Sequence, residues 1–166
     1  IATHVAQGGR VLIVAVTDGE ASHDEAPSIQ RDDLAWLRRS ERWMGLRTLG
    51  VLQPAVVSLG LEDGRVSLQE RTLFDRLTSL LQPTDVVVST WEHDGHPDHD
   101  STGQVARAAC AARGCAYLAA PVWMWHWAAP ADARVPWRRL RGLPLSATAS
   151  SRKLAALGAH QSQLGA

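Results

Sequence analysis

Val86-Val87-Val88-Ser89-Thr90-Trp91-Glu92-His93-Asp94-Gly95-His96-Pro97-Asp98-His99-Asp100 is the stretch from which the fold is read. Its apolar, β-branched opening is the signature of a strand covered on both faces. A polar loop follows, and Pro97 sits where proline favours the first turn of a helix. The helical pattern continues from Asp100 to Arg113, where Gly114 stops it. The segment is therefore a strand, a loop and a helix N-terminus in succession. Open α/β sheets place their ligands at such junctions. His93, Asp94, His96, Asp98, His99 and Asp100 all fall in this loop and first turn. His96 and His99, three apart, share one side of the turn. That arrangement suits one metal ligand and one proton-transfer group.

Working outward, the same alternation of elements recurs. Residues 10–17 form an apolar strand closed by Asp18-Gly19-Glu20. A helix is expected from about Arg31 to Leu49, with Leu34, Leu37, Met44 and Leu46 on its apolar face and Gly50 as its stop. Strands are expected at 54–59, 84–89, 115–118 and 122–127, and a last one at 137–145. Helices are expected at 66–82, with Leu68, Leu73, Leu77, Leu80 and Leu81 turned inward, and at 147–164. Ile1 to Gln7 has the look of a helix end closed by Gly8-Gly9. Strands alternating with helices predict βαβ units and a mainly parallel sheet between helical layers. One α/β domain over residues 1–166 follows from the length.

Composition narrows the function. Lys+Arg 17 against Asp+Glu 17 leaves no basic excess for a phosphate backbone, so nucleic acid is not the expected partner. No apolar run approaches a membrane span. Cys110 and Cys115 are too few for a disulfide framework and read as small buried residues. A soluble, cytoplasmic protein with a small-molecule partner is expected, with homo-oligomerisation left open. Missing glycine and serine signatures argue against a dinucleotide site and a nucleophile elbow. Metal-assisted hydrolysis is the chemistry that the His/Asp cluster supports.

Other features carry less. Asp18, Glu20 and His23 follow the first strand, and Asp24 and Glu25 extend that loop. Arg38, Arg39 and Glu41 read as a solvated helix face. The chain holds 7 Trp against one Phe and one Tyr, and Trp123, Trp125 and Trp127 alternate. In an extended segment this sets three indoles on one face. A packed aromatic edge is the favoured account, and a wall of a substrate cleft the other. His126 reads as a core histidine, and His4 and His160 as structural.

Several of these pieces together resemble the LmbE-like, or PIG-L, family of zinc-dependent N-acetylglucosaminyl deacetylases. They are Val14 to His23, Arg38-Arg39-Ser40-Glu41 with Leu49-Gly50-Val51, His93 to His99, and Pro121 to Trp127. The resemblance implies a Rossmann-like three-layer αβα sandwich and one zinc ion. It implies that His99 binds that zinc, that His96 stabilises the tetrahedral intermediate, and that Asp98 tunes His96. Asp18, Glu20, His23, Arg38 and Asp94 are the matching substrate-side positions. The expected function is removal of an acyl group, acetyl first, from an amino-sugar-like amide. The family's other two zinc ligands and its base lie in a His-Pro-Asp-Asp motif that would precede Ile1. On this likeness the chain is expected to lack its first strand, to stop short at its C-terminus and to be inactive alone. A non-catalytic binding module with the same fold is the competing expectation.

Overall fold

The computed structural model describes residues 1–21, 30–52 and 56–164. Residues 22–29, with the expected site residue His23, lie outside the described residues, as do 53–55. The chain divides into two compact units, Leu61–Arg141 and Ile1–Gly60 with Gly142–Ala166.

In the Leu61–Arg141 unit the motif is built as its sequence predicts. Strand β3 (Val86–Thr90) pairs in parallel with β4 (Ala116–Ala120), from Val86 opposite Ala116 to Thr90 opposite Ala120. Helix α4 (Pro97–Arg113) links them, with Pro97 at its start and Gly114 in the left-handed region at φ +71°. Helix α3 (Glu70–Leu80) packs on α4, entered through a 3-10 turn at Val66–Gln69. Val66, Leu73, Ala109, Cys110 and Met124 form the core and are almost fully buried. The small residues of α4 let it approach β3 closely. A Cβ on Gly103 would stand 2.6 Å from the Thr90 carbonyl oxygen and 2.7 Å from the Glu92 nitrogen. Backbone cannot give way there, so only glycine fits.

Two expectations of burial fail around β3 and the turn before α3. β3 is not covered on both faces: Val86 and Val88 are each 64 % exposed. Strand alternation puts them on the Leu118 side, while the Tyr117 side faces α4, where the phenol donates to the Gly103 carbonyl. Leu68, expected inside, is 79 % exposed because the chain runs there as a 3-10 turn and shifts the inward face to Val66.

The other unit holds β1 (Ile13–Ala15) parallel to β2 (Val56–Ser58), Ile13 opposite Val56. Its helices are α1 (Ala2–Ala6), α2 (Arg31–Thr48), α6 (Ala147–Leu157) and α7 (Gln161–Leu164). α2 packs on α6, with Gly45 close to the Ala156 carbonyl; Leu34, Ala35, Leu46, Ala149 and Ala156 are buried, while Met44 is 51 % exposed. Ser146 caps α6 by accepting from the Ala149 amide. The single helix expected over 147–164 breaks after Leu157. Glu41, buried on α2, accepts both the Ser162 amide and its hydroxyl at 2.7 Å and anchors a separate short helix. Of the charge run 38–41, Arg39 is on the exposed face as expected, but Arg38 and Glu41 are both buried. The expected strand at 137–145 is a 3-10 turn at Trp137–Arg139 followed by irregular chain. Pro136 and Pro144 withhold ladder donors, and the Trp137 indole donates to the Asp132 carbonyl.

Candidate active site

Asp94 organises the loop between β3 and α4. Its side chain is fully buried, and both oxygens are occupied. Oδ1 accepts the amides of Val122 and Met124, each at 2.9 Å, and Oδ2 accepts the Trp123 amide at 2.8 Å. His99 Nδ1 stands 2.6 Å from Oδ2. Burial pushes the Asp94 carboxyl up, but the hydrogen bonds from Trp123, His99, Met124 and Val122 together outweigh it. The group is held below its ordinary value of 3.8. An ionised carboxylate only accepts, so the His99 Nδ1 must carry the proton. Nε2 is then the ring atom left to meet a ligand, and a buried carboxylate behind Nδ1 is the partner that orients a ligating imidazole.

The same carboxylate explains why 122–127 is not a strand. The first amides of a helix need acceptors. Trp123 stands at the helix start and its side chain supplies none. Asp94, 28–30 residues upstream, accepts the amides of Val122 and Trp123 on the approach and of Met124 at the first helical position, and Met124–Trp127 becomes helix α5. The indoles do not share one extended face. Trp125 is 64 % exposed and His126, expected in the core, is exposed as well. Trp127 turns back, and its indole N–H donates to the Asp94 carbonyl at 2.7 Å. Gly95 makes room for that ring: its φ is +88°, and a Cβ would lie 2.7 Å from the Trp127 Nε1.

His96 lies beside His99, ring centroids 4.7 Å apart, and edge-on to Trp123 at 5.5 Å. Its Nδ1 is buried with no hydrogen-bond partner among the described residues. Such an atom is satisfied when a ligand or water supplies the missing group. Asp98 does not face His96. Its carboxylate accepts the amides of Gly64, at 2.6 Å, and Val66, at 3.1 Å, and so ties the 64–66 turn to the start of α4. The expected tuning role therefore moves: the acid that orients a histidine here is Asp94, on His99. Asp94, with every oxygen engaged inside, stands behind the site and not on a substrate-facing wall.

Asp18 and Arg38 belong to the other unit. Asp18 is paired with Arg42 at 3.1 Å and Arg39 at 3.5 Å, and Arg42 also donates to the Ser58 hydroxyl. Arg38 donates to the Gly19 carbonyl. One Glu20 carboxylate oxygen is buried beside the same turn. Sequence reasoning missed Arg42, although its spacing of four from Arg38 was the available signal. It also missed Arg134, which stacks over Trp127 at 4.3 Å. His93, Gly95, Asp100, Trp123, Trp127 and Arg134 line a cavity of about 680 Å³.

Among the described residues no group of three or more His, Cys, Asp or Glu is placed to hold a metal ion. A catalytic zinc needs three protein ligands. The described residues thus offer one oriented imidazole and not a complete zinc site.

A family model described as PIG-L, GlcNAc-PI de-N-acetylase, matches residues 1–110. The N,N'-diacetylchitobiose deacetylase from Pyrococcus horikoshii is 26% identical with a TM-score of 0.55. The match covers 66% of this chain and 42% of that one, so the chain spans less than half of that relative. The A40926 pseudoaglycone deacetylase Dbv21 superposes at TM-score 0.75 with 18% identity, over 98% of this chain and 74% of that one. The conserved protein TT1542 from Thermus thermophilus gives 0.59 and 23%, over 98% and 70%. Comparison with curated proteins gives no match. The structural likenesses show a shared α/β fold with parallel strands. No helix among the described residues is long and apolar enough to cross a membrane.

Proposed function

The chain belongs to the PIG-L family, and from that premise we propose that it hydrolyses the acyl amide, acetyl first, of an amino sugar or similar small molecule in its metal-loaded form. The deacetylases among its structural neighbours support this reading. The observation that carries it is the His99 imidazole, held through Nδ1 by buried Asp94 at a strand-to-helix junction beside a cavity. His99 is one ligand in this proposal. Zinc is the ion the reading calls for, and it would lower the pKa of a bound water. Its other ligands would come from residues other than those described. His96 faces the reacting amide and moves the proton, with its buried Nδ1 open for a partner. Asp18, Glu20, His23 and Arg38 are proposed on the substrate side. The location that fits is the cytoplasm.

Metal analysis and acetate release from N-acetylglucosamine test these roles. His99→Ala is expected to lower zinc occupancy and abolish release. His96→Ala is expected to keep zinc but to lower kcat by about 10²–10⁴, the range for a lost acid–base group. Equal loss of zinc in both variants would reverse the assignment. A second reading is a non-catalytic binding module of the same fold, which would use the cavity beside His99 without a metal. On that reading the 166-residue chain by itself should hold zinc weakly and release no acetate. Release above the control, lost on chelation, defeats that second reading.

A further inference from the structure

The cavity beside the histidine pair is a built site. Trp127 is fixed by its hydrogen bond to the Asp94 carbonyl, at 2.7 Å. Arg134 is pinned over that indole at 4.3 Å and forked onto Asp132, Nε to Oδ1 at 3.0 Å and Nη2 to Oδ2 at 2.7 Å. Trp123, 43 % exposed, forms another part of the wall and touches the His96 ring edge-on. A molecule in the cavity therefore adjoins the reacting position. About 680 Å³ holds more than an acetamido group.

The charges decide what that molecule is. Arg134 is the arginine on the lining, and its fork is already matched by Asp132. The carboxylate on the lining, Asp100, accepts the Gly95 amide through Oδ1 and keeps further lone pairs. Asp98 and Asp100 both sit in the first turn of α4, so the helix N-terminus that would attract an anion carries two acids. On this lining a phosphate would meet an arginine already matched and one near carboxylate. A neutral ring with hydroxyls would meet the Trp123 and Trp127 indoles, a carboxylate acceptor and the Arg134 N–H groups that Asp132 does not take.

We propose, resting on the deacetylase reading, that this cavity takes an uncharged, hydroxyl-bearing ring joined to the acylated sugar. It thereby selects a neutral disaccharide-sized amide over a phosphate-bearing one. Trp123 and Trp127 stack the ring and Asp100 and Arg134 bind its hydroxyls.

Titration calorimetry on the 166-residue chain tests this without turnover. The probes are N-acetylglucosamine, N,N'-diacetylchitobiose and myo-inositol 1-phosphate. The disaccharide should bind about tenfold tighter than the monosaccharide, and the phosphate weakest. Arg134→Ala, at an exposed side chain, and Trp127→Phe should each remove most of the disaccharide's advantage over the monosaccharide. Unchanged melting temperature confirms that each variant is folded. Equal binding of the two sugars, no binding of either, tighter binding of the phosphate, or an advantage untouched in both folded variants overturns the proposal. Disaccharide preference without acetate release from the zinc-loaded protein would leave the subsite standing and sink the deacetylase reading. Acetate release with no preference would do the reverse.

Discussion

Asp94 and Asp18 are both strand-end carboxylates with little exposure, yet they are held in opposite ways. Asp94 is closed in by three backbone amides and one imidazole, all pointing inward. Asp18 is held by the guanidinium groups of Arg39, 51 % exposed, and Arg42, 20 % exposed. The first network fixes the path of the backbone as well as a side chain. The second fixes side chains alone, and water reaches it. Loss of the first should therefore cost folding, and loss of the second only electrostatics.

The largest effect expected is that of Asp94→Ala. It strands the Val122, Trp123 and Met124 amides at the entry to α5 and the His99 Nδ1–H, all of which meet the fully buried Asp94 carboxylate. Removing one member of such a buried charged network costs about 3–5 kcal/mol. Urea denaturation should show that loss, and the near-ultraviolet tryptophan signal should change as Trp123 and Trp127 lose their positions. A loss below about 1 kcal/mol would mean that α5 is held by something other than Asp94.

Asp98→Ala comes next. It removes the acceptor for two amides, those of Gly64 and Val66, at the edge of the core. About 1–3 kcal/mol is expected, with hydrogen exchange quickening at residues 64–66 before anywhere else in that unit. An effect on His96 with no change at 64–66 would restore the role first expected for Asp98.

Asp18→Asn tests the other side of the comparison. The Asp18 pair with Arg39 is half exposed and its pair with Arg42 less so; ion pairs that water reaches contribute about 0.2–1 kcal/mol and fade as salt rises. The difference from wild type should therefore shrink between low and high salt, while the Asp94→Ala difference stays. Equal salt dependence in the two would erase the distinction drawn here.

The same contrast explains what could be read in advance. Pro97 and Gly114 mark the ends of α4 because their backbone constraints act locally. The histidine loop was legible for the same reason. The tryptophan alternation misled because the group that decides it, Asp94, lies in another part of the chain. Arg38 and Glu41 misled likewise: their partners, Gly19 and Ser162, are distant in sequence. Asp98 was recognisable as a motif member, but its partners at 64–66 were not. Spacing states which residues share a side of a helix, not which distant amides they meet.

The smallest effect at neutral pH belongs to Cys110, a buried group with no catalytic part in this account. Burial first, then the neighbouring Cys115 and the charge of Asp85, push its thiol from 9.0 up to about 12. Between those values the unfolded chain has released a proton that the folded chain still holds. Unfolding is then favoured by rising pH, so stability falls across pH 9 to 12 and is unaffected below. One such group gives a slope of at most about 1.4 kcal/mol per pH unit. Tyr117 follows: burial first, with the Glu92 charge adding to it and Arg107 opposing it, raises its phenol from 10.0 to about 12. Its contribution begins only above pH 10. Cys110→Ala should flatten the stability curve from pH 9 upward, and Tyr117→Phe only from pH 10. At about pH 8 iodoacetamide should label the partly exposed Cys115 and spare Cys110 until the protein is unfolded. Labelling of Cys110 in the folded chain at that pH, read by peptide mass, would show that α4 opens far more readily than its packing against β3 implies.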